Sequence, residues 1–405
     1  MSRYFQKINA GAYPFWQHRK PVLTMLDMEI TERCNLDCQH CYINRPADDR
    51  DAAACEMSTA QICDLLQQAA RLGCLMIRLT GGEPLLRGDF EDIYLCARRL
   101  GMVVAIYTNA TLMTPRLADL FERIPPLHAV EVSFYGMRPE SYEAATRTSG
   151  AFDAATRGLR LLSDRHIPFV LKGAVLPPTR GEIEEFETWA ACLPGVTNAP
   201  IFTLFFDPAV RSVPAQKDSR IRGLRLEPAA CVEILARRPD RYRREMQRSF
   251  LKNPGLRGSR LFDCGVGIDS AAVNSRGGIQ PCLLLRDSEL MYDLGSNSLA
   301  NALGLFRTDL RRRRAFNRDY IRRCSRCFIS PLCEQCPAKS WMEWGELDRP
   351  VDYYCAVAHR QAFYLGLLKK GEKSWQVDDW PERIDRFTAS AALPQGCRRI
   401  DAMGH

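Results

Sequence analysis

The stretch Thr31-Glu32-Arg33-Cys34-Asn35-Leu36-Asp37-Cys38-Gln39-His40-Cys41-Tyr42 spaces three cysteines as C-x3-C-x2-C, directly after the mostly apolar run Val22–Ile30. Three thiolates on one short loop can hold three irons of a cubane cluster and leave the fourth iron open. Thiolates are the usual soft ligands of iron–sulfur centres. An open iron is a reactive position rather than a structural staple. The apolar run that feeds this loop reads as a buried strand, and it is the first of several.

Cys74–Thr80, Met102–Thr108, His128–Phe134, Pro168–Leu176 and Pro200–Phe206 are further short apolar or β-branched runs. Helical segments separate them. One begins at Ser58 with Gln61 three residues on, in the manner of a capping box, and stops near Gly73. A second lies between Asp89 and Gly101, and a third takes Thr114 as cap with Pro115 at its first position. Phe152–Asp164 and Glu182–Cys192 supply two more. Alternation of this kind builds βαβ units around a parallel sheet. Six units are too few for a closed eight-stranded barrel, so an open partial barrel is expected.

The cysteine spacing, with the aromatic Tyr42 after the third cysteine, resembles the signature of the radical S-adenosylmethionine (radical SAM) enzymes. Gly81-Gly82-Glu83-Pro84, at the end of the second strand, is similar to the GGEP element of that family. Its glycines permit a tight turn and close backbone approach to a bound group. The resemblance implies an α/β fold: a partial (βα)6 TIM-like barrel with its chemistry at the carboxyl ends of the strands. It implies a [4Fe-4S] cluster on Cys34, Cys38 and Cys41 whose open iron is chelated by S-adenosylmethionine. Reductive cleavage then yields a 5′-deoxyadenosyl radical that abstracts hydrogen from a substrate. Glu83 would accept a hydrogen bond from the methionyl ammonium or hold the loop. Tyr42 would lie beside the adenine, Asn109 and Ser133 would line the cofactor, and Arg147 would meet the methionyl carboxylate. Tyr135 stands where many relatives carry an aspartate.

A second group of cysteines follows. Cys264 precedes Gly277 and Cys282; Cys324, Cys327, Cys333 and Cys336 are spaced x2, x5 and x2; Cys355 closes the set. Paired C-x2-C elements are also a zinc-knuckle spacing, and from these residues alone zinc and iron–sulfur both stand. Behind such a barrel the order resembles the SPASM extension, a small cysteine-rich domain with auxiliary iron–sulfur clusters. The resemblance implies an outer cluster on Cys324, Cys327, Cys333 and Cys355. It implies an inner one on Cys264, Cys282 and Cys336, one cysteine short, which Asp263, Asp269, water or substrate could complete. The expected organisation is an N-terminal extension 1–21, a barrel 22–225, a basic helical connector 226–262, the SPASM domain 263–360 and a C-terminal tail 361–405. Within it, Pro208–Arg222 reads as a polar linker, and the stretch from Gly371 as a segment that wraps the surface or frays.

The chain has 405 residues, 46% of them hydrophobic and 26% charged, as expected of a folded globular protein. No apolar run is long enough to span a membrane, and no secretory h-region is visible near the start. A cytoplasmic location follows as the default. There disulfides are disfavoured, so seventeen cysteines point to metal or catalysis. The seven outside the two groups (Cys55, Cys63, Cys74, Cys96, Cys192, Cys231 and Cys397) read as small buried hydrophobes or idle thiols. The formal charge of +8 gathers at Arg237–Arg248 and Arg311–Arg323. Such runs are usually solvated helix faces, with a docking surface for an acidic peptide as the sharper alternative. No nucleic-acid module accompanies them.

The leading functional expectation is a maturase acting on a ribosomally made peptide or protein. It would be served by an electron donor such as flavodoxin or ferredoxin and by a separate leader-recognition protein. Modification of a tetrapyrrole side chain and sulfatase maturation are the enzymatic alternatives. A metal-binding interaction protein is the non-enzymatic one. Asp269 and Lys172 are candidates for a catalytic base that the sequence does not fix.

Overall fold

A computed structural model describes residues 23–43, 45–208, 215–253, 256–262, 264, 266–267 and 269–389. The expected N-terminal extension, Asp263, Cys397 and the last part of the tail lie outside them. The chain forms two compact units. The first comprises residues 1–203, 209–220 and 264–312, and the second 204–208, 221–263 and 313–405.

The first unit is built on nine strands: β1 (Met25–Thr31), β2 (Met76–Gly81), β3 (Val103–Thr108), β4 (Val130–Ser133), β5 (Phe169–Ala174), β6 (Ile201–Thr203), β7 (Ser270–Val273), β8 (Gly278–Gln280) and β9 (Tyr292–Asp293). Their order is β9-β8-β7-β1-β2-β3-β4-β5-β6. β1 through β6 pair in parallel and in sequence, the arrangement expected of successive right-handed βαβ units. Each strand read from the sequence is present; all begin later than read, β1 and β2 run one residue further, to Thr31 and Gly81, and β4, β5 and β6 also end earlier. The intervening helices start where the caps predicted. Ser58 and Gln61 make both bonds of a capping box, and the Thr114 hydroxyl accepts from Leu117 N ahead of Pro115.

Segment 264–312, expected to open the cysteine-rich domain, groups with the barrel. β7 pairs in parallel with the free flank of β1, and β8 and β9 extend the sheet antiparallel. A buried ion pair fastens this addition. Arg286 donates to the Glu29 carboxylate of β1, and the two side chains are 4% and 1% exposed. Burial pushes the Glu29 carboxyl up, and the Arg286 guanidinium holds it down.

The second unit is mostly helical. Helices Pro228–Leu235, Pro239–Lys252, Asp352–Tyr364 and Trp380–Thr388 enclose a core of Val232, Tyr242, Phe250, Phe328, Ile329, Ala358, Ala362 and Phe387. The basic connector is thus two helices, divided where Pro239 opens the second. Within the stretch read as a polar linker, Ala215–Gly223 is helical. The stretch after Gly371 neither frays nor merely wraps as far as Ala389, since Phe387 is a core residue and Gln247 Nε2 donates to its carbonyl at 2.6 Å.

Replacing Arg286 by Met leaves Glu29 buried without its counter-charge. The expected cost is about 3–5 kcal/mol by denaturant unfolding, most of it recovered in Glu29→Met/Arg286→Met. The loss should be smaller at low pH, where Glu29 can take up a proton.

Candidate functional site

The cysteine loop begins at an irregularity. The β1–β2 register shifts between Glu29 and Thr31, which brings Thr31 opposite Gly81. Bulges of this kind re-aim a strand end, often beside a functional site. Beyond it, Gly82 N donates to Thr31 O and Glu83 N to Arg33 O, both at 2.8 Å. The approach is close enough that a Cβ on Gly81 would lie 2.1 Å from Thr31 O, and one on Gly82 would lie 2.1 Å from Arg33 O. Gly81 also has φ +146°, which side chains rarely adopt. The glycines therefore let the Gly-Gly-Glu-Pro turn clamp the root of the cysteine loop.

Glu83 holds the turn from inside. Its carboxylate, 1% exposed, accepts from Thr108 Oγ1 at 2.7 Å, Asn109 N at 2.7 Å and Leu85 N at 3.1 Å. Of the two roles expected for Glu83, loop holding is the one its bonds serve. Burial outweighs these donors and pushes the carboxyl up to about 7. Asn109 carries the connection onward: its amide reaches Asn35 Oδ1 at 3.1 Å and Cys34 Sγ at 3.8 Å.

The far side of the loop rests on the C-terminal end of helix Pro139–Thr146. Asp37 N donates to Thr146 O at 3.1 Å, and Gln39 N to Ala145 O at 3.0 Å. Arg147 follows in the left-handed region, φ 53°, and pairs with Asp37 at 3.2 Å. Expected at a ligand carboxylate, Arg147 meets one within the cysteine loop itself. Tyr135 packs edge-on to His40 at 4.9 Å and is hydrogen-bonded to Ser133. Tyr42 has the Arg286 guanidinium 5.9 Å from its ring centroid. Burial pushes the Cys34 thiol up to about 12 and holds Cys38 well above its ordinary value, so binding of a soft metal would have to drive off tightly held protons.

Sequence reading missed a band of charge across the barrel strands. Asp27 of β1 pairs with its register neighbour Arg78 of β2 at 2.6 Å. Arg78 lies 4.8 Å from the centroid of Tyr107 of β3. Lys172 of β5 sits 4.0 Å from the same centroid and is ion-paired with Glu131 of β4. Burial pushes the Asp27 carboxyl up to about 6. The available signal was period two: Asp27, Glu29 and Thr31 alternate with Leu26, Met28 and Ile30.

In the second unit, Cys324, Cys327, Cys333 and Cys355 line one cavity with Arg257, Gln335, His359 and Trp375. Cys336 stands apart from it as N-cap of helix Pro337–Trp344, its sulfur 3.5 Å from Lys339 N. Cys264 and Cys282 belong to the first unit. Ser374 N donates to His359 Nε2 at 3.2 Å, which places the ring proton on Nδ1, 2.8 Å from Cys355 O and 3.6 Å from Cys355 Sγ. Ser374 Oγ lies 3.0 Å from Cys327 Sγ. Among the described residues, no three His, Cys, Asp or Glu side chains close to the distances of a single bound ion.

Residues 28–190 match the family model "Radical SAM superfamily". Over this stretch the chain is similar to the radical SAM superfamily. A probable GTP 3′,8-cyclase of Halobacterium salinarum is 34% identical over 175 residues, covering 42% of this chain and 47% of the relative. An Fe-coproporphyrin III synthase of Methanosarcina barkeri is 34% identical over 167 residues, covering 41% and 40%. The chain thus spans less than half the length of these two radical SAM relatives. Among solved structures, SuiB of Streptococcus suis bound to its precursor peptide SuiA superposes with a TM-score of 0.59 at 14% identity, over 83% of this chain and 76% of that one. SuiB bound to S-adenosylmethionine and anSMEcpe with bound AdoMet share the fold, with TM-scores of 0.59 and 0.61 at 15% identity. Among the described residues, no helix is long and apolar enough to cross a membrane.

Glu83 gives the first unit a pH signature. Its carboxyl titrates at about 7 against an ordinary 4.5, so the folded chain binds more protons than the unfolded one between these values. Stability contributed by Glu83 is therefore present below about 4.5 and lost as pH rises through 7. In Glu83→Gln, the unfolding free energy measured from pH 4.5 to 7.5 should lack this fall, which is on the order of 3 kcal/mol.

Proposed function

We propose that this chain cleaves S-adenosylmethionine reductively and uses the resulting radical to take hydrogen from a peptide or protein substrate. The observation that carries the reading is the clamped C-x3-C-x2-C loop at the carboxyl end of β1 in a radical SAM domain. A [4Fe-4S] cluster on Cys34, Cys38 and Cys41 would supply the electron and an open iron for the amino and carboxylate groups of S-adenosylmethionine.

The chain's own contribution is positional. Glu83 and Asn109 hold the root of the loop, while Arg147 and the carbonyls of Ala145 and Thr146 hold its tip. Fixing reactants in one geometry replaces entropy that would otherwise be lost at the barrier. Ser133, at the end of β4, is left to line the cofactor with Tyr42. The paired charges of Asp27, Arg78, Glu131 and Lys172 offer polar anchors on the sheet face.

Four cysteines line one cavity, a thiolate set suited to a cluster. We assign Cys324, Cys327, Cys333 and Cys355 to an outer cluster. N–H and O–H groups beside cluster sulfurs, here from His359 and Ser374, raise a cluster's reduction potential. Such a cluster would be suited to accept an electron from a substrate radical, leaving an oxidised product.

A peptide substrate is supported by the shared fold with SuiB, which was solved with a precursor peptide. A second reading, modification of a tetrapyrrole side chain, is supported by the 34% identity to an Fe-coproporphyrin III synthase. An electron-donor protein, and for a peptide a separate leader-recognition protein, complete the proposal.

Anaerobic reconstitution with iron and sulfide, then dithionite and S-adenosylmethionine, should release 5′-deoxyadenosine. Chromatography with mass detection should find release abolished in Cys34→Ala. In Cys336→Ala some release should persist while modified product falls at least tenfold; normal turnover in both variants would contradict these roles. Ser374→Ala should lower the reduced-to-oxidised ratio of the outer cluster at a fixed poise, read by EPR titration, without abolishing release.

A further inference from the structure

We propose that an acidic one-electron carrier protein docks on the strap between helices Asp352–Tyr364 and Trp380–Thr388 and exchanges electrons with the outer cluster. The proposal rests on the iron–sulfur reading of Cys324, Cys327, Cys333 and Cys355.

Beside the four-cysteine cavity lies a second, and Arg323, Cys355, His359 and Trp375 line both. The outer rim of this second cavity carries four exposed cations, Arg360, Lys369, Lys370 and Lys373. The two rim carboxylates are tied mainly to other partners, although Glu372 also accepts from Lys369 N at 2.7 Å. Asp352 is held by Arg323 at 2.6 Å, and Glu372 by two nitrogens of Arg383 at 2.6 and 3.1 Å. Among the described residues, none of the four rim cations has a carboxylate within ion-pair distance. A rim of one sign attracts an oppositely charged partner from a distance and forms salt-sensitive contacts.

The inner side of the strap decides which anionic partner fits. Its last turn, Ser374–Gln376, touches the cysteine site directly: Ser374 Oγ stands 3.0 Å from Cys327 Sγ. Trp375 meets His359 edge-on at 5.3 Å, and the Arg323 guanidinium lies 5.2 Å from the Trp375 ring centroid. A protein seated on the lysines is separated from the ligand sulfurs by the layer of His359 and Trp375. Electron exchange needs that proximity, and recognition of an acidic peptide does not. The step moves one electron between the cluster and the carrier's flavin or iron–sulfur group, and no bond forms or breaks.

The test uses the cluster-loaded full chain and oxidised flavodoxin as the acidic carrier. Binding is measured by calorimetry at low and high salt, and oxidation of the dithionite-reduced outer cluster by stopped-flow. In K369E/K370E/K373E, affinity and transfer rate should fall at least tenfold and most of the salt dependence should disappear. The EPR signals of the clusters, and dithionite-driven release of 5′-deoxyadenosine, should be unchanged. Equal flavodoxin affinity in the variant overturns the docking site, as does a loss of affinity for an acidic peptide alone. Lysine-dependent binding to a chain that shows no outer-cluster EPR signal overturns the electron exchange and the cluster assignment, and leaves the surface as a docking face.

Discussion

A single buried carboxylate organises the candidate active site. Glu83 accepts from the ends of two elements at once: Leu85 in its own turn, and Thr108 and Asn109 at the end of β3. Its own N–H is bonded to Arg33 O, one residue before the first cysteine. Strand ends β1, β2 and β3 are thereby tied at one point, and Cys34 inherits its position from that knot. A buried acceptor with three donors is a satisfied one, yet the cost of desolvation still shows in its raised titration. The same dry setting raises the thiols, so in this loop the driving force for thiolate would have to come from a bound soft metal.

Charge on the sheet face follows a similar logic at larger scale. Parallel strands covered by helices usually read as near-continuous apolar runs, because both faces are buried. Here Asp27, Glu29, Arg78, Glu131 and Lys172 interrupt them, and each has an opposite partner. Replacing such pairs with apolar residues is often neutral or stabilising, so their presence is weak evidence of a stability role. A catalytic scaffold gives another reason to keep them: a polar lining presents fixed dipoles and charges to a polar ligand. Arg286 reaches Glu29 from segment 264–312, which makes the added strands part of the barrel's electrostatic interior.

Much of the barrel was legible in the sequence because its signals are local. Six apolar runs, a capping box at Ser58 and a Thr-Pro start at Thr114 each declare an element within a few residues, and the two cysteine groups declare soft-ligand chemistry by spacing. What escaped is long-range or short. Ser270–Val273 and Gly278–Gln280 are too brief and too small-sided to stand out as strands, and the place of the first beside β1 depends on pairing across more than 240 residues. The Glu29–Arg286 bond spans 257 positions. Arg147 was readable as a carboxylate binder, but nothing local names Asp37 as the carboxylate. The stretch after Gly371 read as peripheral because its contacts are a histidine ring and a cysteine sulfur supplied by other helices.

That last stretch changes how the cysteine-rich unit is understood. A metal-binding knuckle needs its ligands and little else. Here Ser374 reaches a cysteine sulfur with its hydroxyl and, through its backbone N–H, fixes the tautomer of His359, whose remaining N–H faces Cys355. Two hydrogen-bonding groups, one orienting the other, thus reach sulfurs of this site. They make sense where the electron density on sulfur must be set, because a donor stabilises the more negative state of whatever the thiolates hold. The physical content of the cysteine-rich unit therefore lies as much in its turn Ser374–Gln376 as in its cysteines.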